Sequence, residues 1–149
     1  MVIFNGHYES SFLTNYSNKE FDLSFSKNFK IPLQIAVNVI NNKILNINGS
    51  VFFISSFAAE TDEIGNAYYS LAKNSLNLAA KILGKEQKDR KVRVNVISLG
   101  TINNKMGKST LISKTNKNKI KYLDDKKYIG KILAILQNKK INLKKVLIK

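Results

Sequence analysis

The chain has 149 residues, enough for one domain burying roughly 70% of the surface its unfolded form would expose, and its 44% hydrophobic and 23% charged content is ordinary for a globular protein. No cysteine is present, which excludes disulfides, thiolate metal ligands and thiol redox couples, and no apolar run approaches the ~18 residues of a membrane span. The net charge of +15 raises a polyanionic partner, but the lysines are scattered, Arg is limited to Arg90 and Arg93, and no aromatic residues interleave with them as a stacking platform requires, so a cofactor phosphate is the preferred anion and a basic nucleic-acid binder only the third reading.

Met1 to Phe4 is a short apolar run ended by Asn5-Gly6, a strand entering a turn. It has neither the basic start nor the long apolar core of a signal peptide, so a soluble cytoplasmic protein is expected. His7, the single histidine, reads as a solvated loop residue, and no metal site is expected. Residues 8 to 20 read as a polar loop. From Phe21 a helical pattern runs through Phe25, Phe29, Leu33, Ala36, Val37 and Ile40 with Pro32 inside it. Proline lacks the backbone donor, so a kink is expected near Asn28, whose side chain periodicity alone places on a solvated face.

Val51 to Ile54 is a β-branched and aromatic run between Gly49 and Ser55-Ser56, suited to a strand buried on both faces. Helical spacing begins at about Ala67 and lasts to Glu86, with Leu71, Ser75, Leu78 and Ile82 near one stripe. Tyr69 and Lys73 are neighbours at i and i+4 in its first turns. The apolar face of this helix is wider than one sheet contact needs, so part of it is expected to pack on another copy. Val92 to Ser98 alternates like a strand, Thr101 to Lys121 has no clean period, Asp124 to Gln137 reads as a helix, and Val146 to Ile148 as a last strand. Strands alternating with helices predict an α/β fold, a parallel sheet of about four strands with helices on both faces, as one domain over residues 1–149.

These residues fall in the order of a known family. Ser56 lies thirteen residues before Tyr69, Tyr69-Ser70-Leu71-Ala72-Lys73 has the form Y-x-x-x-K, Asn28 lies in Asn-Phe-Lys-Ile-Pro, and Gly100 follows the penultimate strand. The chain thus resembles the C-terminal two-thirds of a short-chain dehydrogenase/reductase, a doubly wound Rossmann-like fold. The resemblance implies a reductase of carbonyls or oxidant of alcohols dependent on NAD or NADP. It makes Tyr69 the general acid or base and Lys73 its positive neighbour and holder of the nicotinamide ribose. Ser56 becomes the partner of the substrate oxygen, and Asn28 the holder of a water leading to Lys73. Asn5, Gly6, Tyr69, Lys73, Gly100 and Ile102 are the cofactor-binding positions it implies. Tyr68 is out of register and is expected to pack or touch substrate.

Departures are also plain. Leu99-Gly100 stands where the family usually has Pro-Gly, Asn104 where it often has threonine, and the early Asn-Asn-Ala-Gly is reduced to Phe4-Asn5-Gly6. None of the seven glycines forms G-x-x-x-G-x-G or G-x-G-x-x-G, so no glycine-rich turn is available to seat a diphosphate at a helix start. A truncated domain is therefore expected. It would be inactive alone, complemented by an N-terminal piece or joined to another copy through the helices around 21–41 and 67–86. The alternative is a non-catalytic remnant that serves as an oligomerisation or interaction module.

Overall fold

Short β-branched strands alternating with amphipathic helices fold here into a parallel sheet. The computed structural model describes residues 1–110, 122–123, 125–138, 140–141 and 145–148. Within them β1 (Val2–Ile3), β2 (Ser50–Ser56), β3 (Arg93–Leu99) and β4 (Lys145–Ile148) pair in the order β1-β2-β3-β4, each pair parallel. Parallel neighbours need crossovers, and helices supply them. α1 (Asn18–Phe25), a π-helical turn (Ser26–Lys30) and α2 (Ile31–Asn41) join β1 to β2. α3 (Ala67–Glu86) joins β2 to β3, and α4 (Lys105–Ser109) and α5 (Asp125–Gln137) lie between β3 and β4. Asp124 and residues 111–121 of the expected aperiodic segment lie outside the described residues, while its start contains α4.

The strand pleat divides the core into two. Val51 and Phe53 of β2 meet Val94 and Val96 of β3 and, above them, Ala36 and Ile40 of α2 and Leu76 and Ala80 of α3. Phe52 and Ile54 turn the other way, with Ile97 and Leu99, onto Ile132 of α5. Helices therefore cover both faces, and β2 is buried on both, as its continuous apolar run requires. Each such side chain contributes about 1.5–3 kcal/mol of burial free energy.

One expectation about helix faces is corrected, and another is sharpened. The stripe Leu71, Leu78 and Ile82 lies away from the sheet, these residues being 43%, 58% and 49% exposed. The buried stripe of α3 is Ala72, Leu76, Ala80 and Leu83. Small residues let the helix lie close to the strands, and helical spacing alone does not separate the two stripes. Asn28, placed on a solvated face by periodicity, is fully buried. The cause is the π-helical turn, where the Ile31 N–H donates to the Ser26 carbonyl, five residues back. One extra residue in a turn rotates the following helix by about 100° against the preceding one, so a single 3.6-residue period cannot describe both. Pro32 stands in the first turn of α2, where its missing N–H costs least.

Candidate active site

The C-terminal ends of β1, β2 and β3 lead into Asn5-Gly6, Ser56 and Gly100, the edge at which open parallel sheets place ligands. Ser56 stands in register with Leu99, so Gly100 begins one residue beyond it on the next strand. The Gly100 N–H donates to the Ile148 carbonyl at 2.9 Å, and Ile102 bridges to Leu123 and packs on the second core. α4 then returns toward β1, because a Cβ added to Gly6 would lie 3.4 Å from Cε of Met106. Asn104 caps α4, its Oδ1 accepting the Gly107 N–H at 2.8 Å.

Lys73 extends from α3 beneath this edge. Its ammonium donates to the Asn5 carbonyl at 2.7 Å and the Ile54 carbonyl at 3.1 Å, and lies 5.9 Å from the centre of the Tyr69 ring. The i and i+4 spacing thus does bring the two together. Burial pushes the Lys73 pKa down to about 8. Two of the three ammonium donors are used by these carbonyls.

Tyr69 is half-buried as a residue, and its hydroxyl lies deep among protein atoms. Desolvation raises its pKa, a hydrogen bond from Ser56 acts against this, and the nearby Tyr8 phenol raises it further. Desolvation is the largest of these influences on the phenol. Ser56 also accepts the Ala58 N–H at 3.2 Å, which leaves its proton for Tyr69.

Asn28 is bound on all sides. Its Oδ1 accepts the His7 N–H at 2.9 Å, and its Nδ2 donates to the His7 carbonyl at 2.8 Å and the Ser24 carbonyl at 3.0 Å. The amide thus clamps the backbone just after β1, two residues beyond the Asn5 carbonyl that receives Lys73. The Asn5 side chain in turn donates to the Lys27 carbonyl of the π-helical turn. His7 itself is half-buried, its Nε2 3.5 Å from the Glu9 carboxylate, rather than a solvated loop residue.

Tyr68 is part of the scaffold. It is 2% exposed, its hydroxyl accepts the Ser17 N–H at 2.8 Å, and its ring meets those of Tyr16 and Phe21 edge-on. Sequence reading missed Tyr8 and Ser11 altogether. Ser11 caps α3 from a distance: its Oγ accepts the Tyr68 N–H at 3.0 Å and its carbonyl the Ala67 N–H at 3.3 Å. Asn66, the residue that by position should cap the helix, makes no side-chain cap bond. Gly65, at φ 88°, supplies the left-handed turn just before it. No local pattern announces a cap supplied from more than fifty residues away.

A family model described as enoyl-(acyl carrier protein) reductase matches residues 3–135. A search of curated proteins finds no match. Among solved structures, a short-chain dehydrogenase/reductase from Serratia marcescens superimposes with a TM-score of 0.83 at 19% identity, covering 99% of this chain and 62% of that one. A dehydrogenase/reductase from Sinorhizobium meliloti gives 0.81 at 22% identity, with 99% and 60% covered. A short-chain dehydrogenase from Burkholderia cenocepacia in complex with NADP gives 0.84 at 15% identity, with 99% and 62% covered. The chain therefore spans about three-fifths of the length of these structures.

Proposed function

Because the chain belongs to the short-chain dehydrogenase/reductase family, we propose that it carries the proton-handling part of a nicotinamide-dependent oxidoreductase acting on a small carbonyl or alcohol. The observation that carries this reading is the placement of Tyr69, Lys73 and Ser56 together at the C-terminal edge of a parallel sheet. Tyr69 is the proton donor to a carbonyl oxygen, and a phenol kept protonated by desolvation suits that direction. With substrate bound, the single Ser56 proton turns from Tyr69 to the substrate oxygen. Lys73 lies beneath the ring, and Asn28 fixes the loop whose Asn5 carbonyl holds Lys73 in place.

The residues present suit the nicotinamide end of the cofactor, since Lys73 has a third donor for a ribose hydroxyl and Asn5, Gly6 and Gly100 border the same edge. When bound, NAD or NADP supplies or accepts the hydride. No glycine-rich turn in the sequence fits the diphosphate. Titration of the purified chain by calorimetry with NADPH, NADH and nicotinamide mononucleotide tests this. We expect weak binding that is no tighter for the dinucleotides than for the mononucleotide and is lost in Lys73→Met. Tight NADPH binding would give the diphosphate a seat after all, and the absence of any Lys73-dependent binding would remove the oxidoreductase reading.

A second reading has its own observation. The exposed stripe of Leu71, Leu78 and Ile82 on α3 favours residues 1–149 acting as one unit that associates with a second copy through α3 and α2. Among the described residues no helix is long and apolar enough to cross a membrane, so this stripe is not accounted for by a span.

A further inference from the structure

The chain after β1 is strapped onto the start of the tyrosine-bearing helix. Ser11 bridges to Asn66, its N–H donates to the Gly65 carbonyl at 3.0 Å, and its hydroxyl and carbonyl take the first free N–H groups of α3. Tyr8 stands at the head of this strap. Its hydroxyl donates to Asn66 Oδ1 at 2.9 Å and lies 3.3 Å from the Gly65 carbonyl. Asn66 is held from its other end, Nδ2 donating to the Glu63 carboxylate at 2.8 Å. The Tyr8 ring meets the Tyr69 ring edge-on, with centroids 5.6 Å apart and planes at 81°.

We propose that Tyr8 is a positioning residue for Tyr69, its anchored ring fixing the direction in which the Tyr69 hydroxyl points toward Ser56. A tyrosine side chain turns about two bonds, and an edge-to-face neighbour removes that freedom on one side. The Lys73 ammonium, 5.9 Å from the ring centre, is a second neighbour of the same ring. In alkaline solution, where phenols ionise, Tyr8 further opposes the ionisation of Tyr69, because two phenolates this close repel. The groups facing Tyr69 are thus Tyr8, which opposes its ionisation, Ser56, which favours it, and the Lys73 ammonium near its ring face. The meaning of this for turnover rests on the reading of Tyr69 as the proton donor; the placement itself does not.

The test is a spectrophotometric titration of phenolate absorbance in the full chain. Since there are six tyrosines, the Tyr69 signal is isolated by subtracting the Tyr69→Phe partner of each variant. Tyr8→Phe keeps the ring and removes the hydroxyl, and we expect the Tyr69 midpoint to fall. Tyr8→Ala should lower it at least as far, because water then reaches the Tyr69 ring. Ser11→Ala, which loosens the strap but leaves Tyr8, should lower the unfolding temperature and leave the midpoint in place. An unchanged midpoint in both Tyr8 variants with native circular dichroism overturns the proposal. So does an equal shift in Ser11→Ala, which would assign the effect to the strap as a whole. No cofactor enters this titration. A shifted midpoint in a chain that fails to bind nicotinamide would therefore sink the oxidoreductase reading and leave Tyr8's role standing, and the reverse result would do the opposite.

Discussion

Lys73 places an ammonium group in the interior against two backbone carbonyls, and its pKa of about 8, against 10.5 for the free side chain, makes a specific demand on stability. Below pH 8 both folded and unfolded chains hold the proton, and the cost of burying the charge is fully present. Between pH 8 and 10.5 the folded chain has released the proton while the unfolded chain keeps it, so stability rises with pH through this window. The full swing is 10.5 − 8, or 2.5 pH units, about 3 kcal/mol. Tyr69 has the opposite sign: its raised pKa contributes stability below pH 10 that is lost at higher pH, when the unfolded chain ionises first. Urea unfolding of the native chain and of Lys73→Met, compared over about pH 7 to 10, should show the native chain gaining on the variant by roughly 2–3 kcal/mol. A flat difference would mean that Lys73 stays solvated. This residue was legible in the sequence by its spacing from Tyr69; its carbonyl partners were not, because Asn5 lies sixty-eight residues away.

At the scale of elements, the π-helical turn between α1 and α2 is what converts an apparently solvated asparagine into a clamp. Asn28→Ala leaves the His7 N–H and carbonyl without their side-chain partners in a buried place. Loss of about 2–4 kcal/mol is expected, measured by chemical unfolding, with the His7 amide exchanging faster. A loss below about 0.5 kcal/mol would place the clamp outside the folded core's cooperativity. The central strand, though not its full extent of Ser50–Ser56, and the bounds of the long helix were legible because β2 holds a continuous apolar run and α3 is periodic over twenty residues. Which stripe of α3 faces the sheet was not, because Leu71, Leu78 and Ile82 repeat as well as Ala72, Leu76 and Ala80 do, and only the approach of the strands selects the smaller set.

For the whole molecule, the same stripe and the β1 edge lead us to expect association in solution. Val2 of β1 is 36% exposed and β1 pairs only with β2 among the described residues, while α3 presents Leu71, Leu78 and Ile82 outward. Exposed strand edges and apolar stripes of this kind promote association. Light scattering at micromolar concentration should report a multimer, and Leu78→Lys with Ile82→Lys should dissociate it while leaving the circular dichroism unchanged. A clean monomer in the native sequence would refute the association reading.

The sequence by itself determined the alternation that makes a parallel α/β sheet, the buried central strand, and the spacing that sets Lys73 under Tyr69 and Ser56 thirteen residues before it, because each of these is a local repeat or a short-range interval. Only the tertiary structure decided that Asn28 faces inward onto His7, that Ser11 caps α3, that Tyr8 stands against Tyr69, and that the phenol is governed by desolvation. Those facts depend on segments far apart in the chain meeting at one sheet edge, and on how much water that meeting removes, which no residue pattern records.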